Sequence, residues 1–392
     1  MRSVRGAQGA YAPCVTDRIQ KIVAELPELE DVTGVWRTAD RCLAQGDNVF
    51  LADLSLALTA AHRSGDGWIW QYESLFDHLL RSLAVTPGPG NVAQALRLIS
   101  PAGATAAAVR ERSRYVASLL ASCQSAEDLS VVFTGKAPEE LRACLVHELV
   151  LRGVDVTRAP GIAGWATSPH WKHHPLGELP LTLSGVEGEP DLPGYSARGG
   201  SHAMPYGPSR TRRVRAAAAA HAPSAADTTT PAAADRIGAA VANWVEGSNG
   251  RVEARVFGLA APLGAEAVPG ALPSLGLECL CGAGKKTAVT VAACPPDQAW
   301  RVLFAAASTG GAYNHGVRGA YGRLAAWRSL AGLSGAAETG PAEEVEARVR
   351  ECAWYDFDAE TSWFERVAWD IGLLAVSPGR RRLAVLAATD TD

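Results

Sequence analysis

Between Gly153 and Asp235 runs a stretch that cannot carry a long helix, and it divides everything around it. Residues 153–208 are crowded with Gly, Pro, Trp and His, in runs such as SPHWKHHP (168–175) and LPGYSARGGSHAMPYGP (192–208). Proline removes a backbone donor and clashes with the preceding helical turn, so this density ends helices. Trp165, Trp171, Tyr195 and Tyr206 give the stretch apolar surface to bury, which argues for an ordered connector. Residues 209–233 then fall to low complexity, with SRTRRVR, an alanine run and HAPSAADTTTP, and read as a linker. A chain of 392 residues with 47% hydrophobic and 20% charged content is long enough for two cores. The break therefore predicts a first domain over 1–155, a connector over 156–208, a linker over 209–233 and a second domain over 234–392.

The two flanks differ in hydrophobic period. In the first, Ile19, Ile22, Val23 and Leu26 fall at helical spacing, and Asn48–His62, Gln71–Val85 and Thr105–Cys123 repeat the pattern. Pro138–Arg152 opens with proline and two glutamates, which suit the first turn and the positive end of a helix. No fixed repeat period emerges. In the second flank, Arg251–Leu259 alternates as a strand, with Val252, Ala254 and Val256 on one face. Thr287–Ala293 reads as a strand, as does Val349–Phe357, while Pro295–Ala307 and Val317–Ala331 read as helices. Phe364–Val376 and Arg382–Ala388 flank Ser377-Pro-Gly-Arg380 as a hairpin. The expected class is α+β: an all-helical N-terminal domain followed by an α+β domain with a largely antiparallel sheet.

The most specifically composed window is Arg301–Leu333, with a duplicated Gly-Ala-Tyr unit and glycines at 316, 319 and 322. A glycine ridge permits close helix packing. It equally permits a loop over 308–316 whose backbone N–H groups face an anion. On that second reading Tyr313, His315, Arg318, Tyr321 and Arg323 are candidate ligand-binding residues, joined by Ser201 and His202 of the connector. Arginine offers a planar fork that suits carboxylate or phosphate.

Other motifs fail on their chemistry. GAGKKT (282–287) lacks the first glycine and the Ser/Thr of a phosphate loop. Gly88–Ala93 lacks the strand that a dinucleotide fingerprint needs. Gly199-Gly-Ser201-His-Ala203 approaches a nucleophile elbow, but the prolines after it cannot form the required helix. Cys279 and Cys281 have CxC spacing, which suits alternate positions on one side of a strand and not a four-ligand zinc site. His170, His173 and His174 have no carboxylate in their run, and His147-Glu148 lacks a second histidine four residues on. No metal and no cofactor is expected. Trp354, Tyr355, Phe357, Trp363, Phe364 and Trp369, interleaved with Asp356, Asp358, Glu360 and Asp370, read as core and turns of a meander.

The blocks WVEGSNGRVEARVF (244–257), LPGYSARGGSHAMPYGP (192–208), GGAYNHGVRGAYGRLAAWRSL (310–330) and LAVLAATDTD (383–392) resemble an actinobacterial family catalogued only as a domain of unknown function. The resemblance covers most of the chain beyond about residue 140 and brings no activity or catalytic residues with it.

A net charge of −4 argues against a general nucleic-acid coat, and the run Arg210, Arg212, Arg213 and Arg215 lacks interleaved aromatics. No apolar window reaches the length of a membrane span, and the start lacks the apolar core of a secretory signal. A cytoplasmic protein with reduced thiols is expected. With no complete catalytic set, the reading is a non-catalytic interaction protein with an unknown protein partner. The alternative is an enzyme or small-anion-binding protein using 308–323 with the connector 195–207.

Overall fold

The computed structural model describes residues 11–64, 69–101, 103–202, 214–215, 222–281, 289–337, 340–364 and 369–390. The chain separates into two units, each built from several segments. Unit 1 comprises Met1–Glu148, Val156–His170 and Pro193–Ser201; unit 2 comprises Leu149–Asp155, Trp171–Leu192 and His202–Asp392.

Unit 1 is helical. Its elements are α1 (Tyr11–Glu25), α2 (Thr33–Ala44), α3 (Asn48–Ser64), α4 (Trp70–Val85), α5 (Pro89–Arg97), α6 (Ala106–Cys123), α7 (Ser130–Thr134), most of α8 (Glu139–Leu151), α9 (Pro160–Trp165) and the start of α10 (Pro169–Lys172). Leu51, Leu54 and Leu58 of α3 and Leu75, Leu79 and Leu83 of α4 are buried at the three- and four-residue spacing of a helix face. Thr105 caps α6, its side chain accepting from the Ala108 amide at 3.2 Å. A two-stranded antiparallel hairpin, β1 (Gly194–Ser196) and β2 (Gly199–Ser201), completes the unit. Tyr195 anchors it: its hydroxyl lies 3.1 Å from Ser118 Oγ, which donates to the buried Glu148 Oε2 at 3.2 Å.

Unit 2 is layered around one antiparallel sheet. Its elements are β3 (Val214–Arg215), β4 (Ala225–Asp227), α11 (Pro231–Gly238), α12 (Ala242–Gly247), β5 (Arg251–Leu259), α13 (Val268–Ala271), β6 (Val289–Cys294), α14 (Pro296–Thr309), α15 (Arg318–Ser334), α16 (Ala342–Glu351), β7 (Ala353–Ala359), β8 (Trp369–Val376) and β9 (Arg382–Asp390). Among the described residues the strand order is β3-β6-β7-β8-β9-β5-β4. Pairing registers place Val256, Leu386, Ile371 and Leu373 on one face, the face met by α11, α14 and α15. Phe257, Val385, Leu374 and Phe357 lie on the other, packed against Leu263, Leu272 and Leu280 of the irregular segment after β5. The β8–β9 turn closes with Arg380 N–H donating to Ser377 O at 2.8 Å, and Arg380 takes the left-handed φ of 55°.

The α+β class with helices first and an antiparallel sheet last is what the structure contains. Its boundaries differ from those expected. The range expected as linker holds β3 and β4, which are the two edges of the sheet. Alanine and threonine there gave no apolar alternation to reveal a strand. The connector is shared between the units, its hairpin in unit 1 and residues 171–192 in unit 2. Val349–Phe357 is a helix end followed by a strand, because α16 runs to Glu351. Cys279 sits in a single 3-10 turn, Glu278–Leu280, so the CxC pair does not lie on a strand; Cys279 is buried and Cys281 exposed. No helix among the described residues is long and apolar enough to cross a membrane.

Candidate functional site

Helices α14 and α15 are antiparallel neighbours in sequence, and glycine permits a close approach between them at Gly322. A Cβ added to Gly322 would lie 2.7 Å from Ser308 Cβ, so α15 meets α14 backbone to backbone there. The link between them, residues 310–317, cannot pair with itself as a helix or strand. Its amides find acceptors at two distant positions of unit 2, within the loop itself and at the end of α14. Ala312 N–H donates to Asp390 Oδ2 at 2.6 Å, and Tyr313 N–H to Ser248 Oγ at 3.2 Å. Gly311 and Gly316 donate to Asn314 Oδ1 at 3.2 and 3.0 Å, and Val317 N–H returns to Ala307 O at 2.8 Å. Ser248 Oγ–H in turn donates to Asp390 Oδ1 at 2.9 Å, and Asn314 Nδ2 to Asn243 O at 2.7 Å. Trp244 Nε1 donates to Ala306 O at 3.1 Å, which fixes α12 against the end of α14.

Asp390 is fully buried at the end of β9. It occupies the place among the loop amides that the sequence reading assigned to an external anion. A carboxylate there shares hydrogens with a backbone N–H and a hydroxyl, the charge-assisted bonds that are among the stronger in proteins. Left-handed φ values at Gly310 (90°) and Gly316 (60°) let the loop fold back around Asn314.

The predicted site residues separate by environment. Tyr313 is 59% exposed and His315 is exposed on the same loop. Arg318 begins α15 half-buried with a φ of 66°, a region costly for a residue with a Cβ. Tyr321 is half-buried, its ring edge-on to His174 at 6.4 Å. Arg323 is 0% exposed, and its guanidinium is taken up inside the protein. It forms a bidentate pair with the buried Glu187 through Nε–H to Oε1 and Nη2–H to Oε2. Its remaining donors reach Pro180 O and Thr182 O, each at 2.9 Å. Trp327 Nε1 and the Ser184 amide complete the shell of Glu187 at 2.9 and 2.8 Å. Ser201 and His202 are exposed, Ser201 closing the hairpin of unit 1. Sequence reasoning missed Asn243, Ser248, Asn314, Glu187 and Asp390. The blocks holding Ser248, Asn314 and Asp390 carried the family resemblance, which brings no site residues, and nothing in their spacing pairs them.

The remaining motifs are accounted for locally. His174 Nδ1 accepts from the Leu176 amide at 3.2 Å, and His170 and His173 are exposed. No group of three or more potential metal ligands occurs among the described residues. Burial pushes the thiols of Cys144 and Cys279 upward, and that of Cys294 to about 12, with Asp356 adding to the effect on Cys294. GAGKKT and Arg210, Arg212 and Arg213 lie outside the described residues.

The molecule is thus an α+β protein in which the loop bearing the exposed Tyr313 is tied down by a polar network around the buried Asp390. A family of unknown function, DUF6183, matches residues 33–392, and the chain belongs to it. The match begins well before residue 140, so the helical unit is part of the family as well. No curated protein matches the chain, and no solved structure does.

Proposed function

We propose that this is a non-catalytic interaction protein and that loop 310–317 is a preformed contact surface for a protein partner. The observation behind the reading is Tyr313, an aromatic left 59% exposed on a loop whose amides at Gly311, Ala312, Tyr313 and Gly316 are engaged internally. Exposed tyrosines on rigid supports are favoured anchors, because little conformational freedom is lost on binding. Val245, on α12 next to Trp244, is likewise exposed at 53%. The alternative, an enzyme or small-anion-binding protein using 308–323, has less support: Arg323 and the Ala312 amide already serve buried carboxylates.

The test places a photo-crosslinking side chain at position 313 in the full chain, in its own cells, with position 49 as an exposed control. A discrete protein adduct specific to 313 is expected. The purified partner should then bind the parent at least about tenfold more tightly than Tyr313→Ala, about 1.4 kcal/mol. A metabolite that stabilises the parent and not Tyr313→Ala, with no protein adduct, would replace this reading by the small-ligand one.

A further inference from the structure

On the face of the sheet opposite α14 and α15, one end carries polar groups that nothing so far explains. Registers place Arg251 of β5 beside Thr389 of β9, and Thr389 beside Asp370 of β8. Directly paired residues hold their Cβ atoms about 5 Å apart on the same face. Beneath Arg251 lies Trp363, with the guanidinium carbon 4.8 Å from the ring centroid. Arg251 Nη2–H donates to Ser362 O at 3.0 Å, so the side chain is held over the indole and not swept through solvent.

Two donors in this group are orphans. Trp363 Nε1 and Thr389 Oγ1 are buried, the residues being 5% and 2% exposed, and neither atom has a hydrogen-bond partner. A buried donor without a partner costs about 1–3 kcal/mol, so a protein retains one where something supplies the acceptor. Arg251 and Ser362 are exposed, which gives the cluster an opening to solvent. Asp370 stands directly opposite Thr389 on this face, its Oδ1 buried without a hydrogen-bond partner while the residue has another contact of its own, and it lies two strand spacings from Arg251, about 10 Å.

We infer that Arg251, Thr389 and Trp363 form a binding site for a small oxyanion, the carboxylate or phosphoryl group of a ligand. The guanidinium fork matches two oxygens of such a group, and its seat over the indole restricts where the fork can reach. The indole N–H and the threonine hydroxyl add neutral donors at a depth where water competes poorly. The site lies on a different face of the sheet from Tyr313 and does not depend on the proposed contact loop.

The test uses the full chain with nitrogen-15 tryptophan, the Trp363 indole resonance being assigned through Trp363→Phe. Acetate and inorganic phosphate are titrated separately against sodium chloride at matched ionic strength. The Trp363 N–H is expected to shift saturably with an oxyanion and not with chloride. Response to acetate alone identifies a carboxylate ligand, and to phosphate alone a phosphoryl ligand. Arg251→Gln should weaken the titration at least about tenfold, equivalent to about 1.4 kcal/mol. Thr389→Val, which keeps the branched shape of the strand residue, should weaken it in the same direction. The absence of a saturable shift, or an unchanged titration in Arg251→Gln, would overturn the site and leave ordered water as the partner of both donors.

Discussion

Replacing Asp390 by alanine removes the acceptor of Ser248 Oγ–H and of the Ala312 amide together. Hydrogen bonds to charged groups are worth about 1.5–3 kcal/mol, so Asp390→Ala should lower stability by at least that, read from denaturant midpoints. An effect under about 0.5 kcal/mol, the range of ordinary surface changes, would mean the network does not hold the loop. Arg323 tests the opposite kind of residue. Glu187→Gln leaves its guanidinium buried without a counter-charge and should cost about 3–5 kcal/mol. Arg323→Met with Glu187→Leu removes both charges and should recover most of that loss, as buried pairs often do when replaced whole. Gly322→Val brings a branched side chain against Ser308 and should cost about 1–3 kcal/mol by overpacking. Tolerance at Gly322 would mean that α14 and α15 are not in backbone contact.

Elements were readable wherever a local period carried them. Val252, Ala254 and Val256 announced β5, and Ser377-Pro-Gly-Arg380 announced the turn between β8 and β9. At the start of α11 Pro231 takes the first turn and the Thr230 side chain accepts from the Ala233 amide at 3.2 Å, a cap whose residues are adjacent in sequence. Elements fixed by distant partners were not readable. β4 holds only Ala225, Ala226 and Asp227, and it exists because β5 pairs with it. The acceptor that completes loop 310–317 lies 78 residues away at Asp390, and the partner of Arg323 lies 136 residues away at Glu187. Such contacts join single residues across the chain and leave no spacing to detect. The cysteines show the same contrast, since CxC spacing suggested a strand where a 3-10 turn buries Cys279 against Glu253 and exposes Cys281. A maleimide at mildly alkaline pH should therefore label Cys281 well before Cys144, Cys279 or Cys294, whose thiols are raised by burial. Equal labelling rates would contradict the described burial.

The whole chain is not a string of consecutive domains. Unit 2 draws Trp171–Leu192 into itself, and that segment brings Glu187, Pro180 and Thr182 to Arg323. A fragment starting at Ala234 lacks all three partners as well as β4. It should show no cooperative melt, whereas one starting at Leu149 should retain one; cooperative melting of 234–392 would restore the simpler division. Loop 310–317 is held by the protein's own Asp390 carboxylate and not by an external anion. Amide hydrogen exchange on the full chain, free of phosphate and carboxylate buffers, tests it directly. Ala312, Tyr313 and Gly316 should be protected in the parent, with Ala312 and Tyr313 losing protection in Asp390→Ala. Unprotected amides in the parent that become protected on adding phosphate would contradict it, and would make the loop an anion site after all.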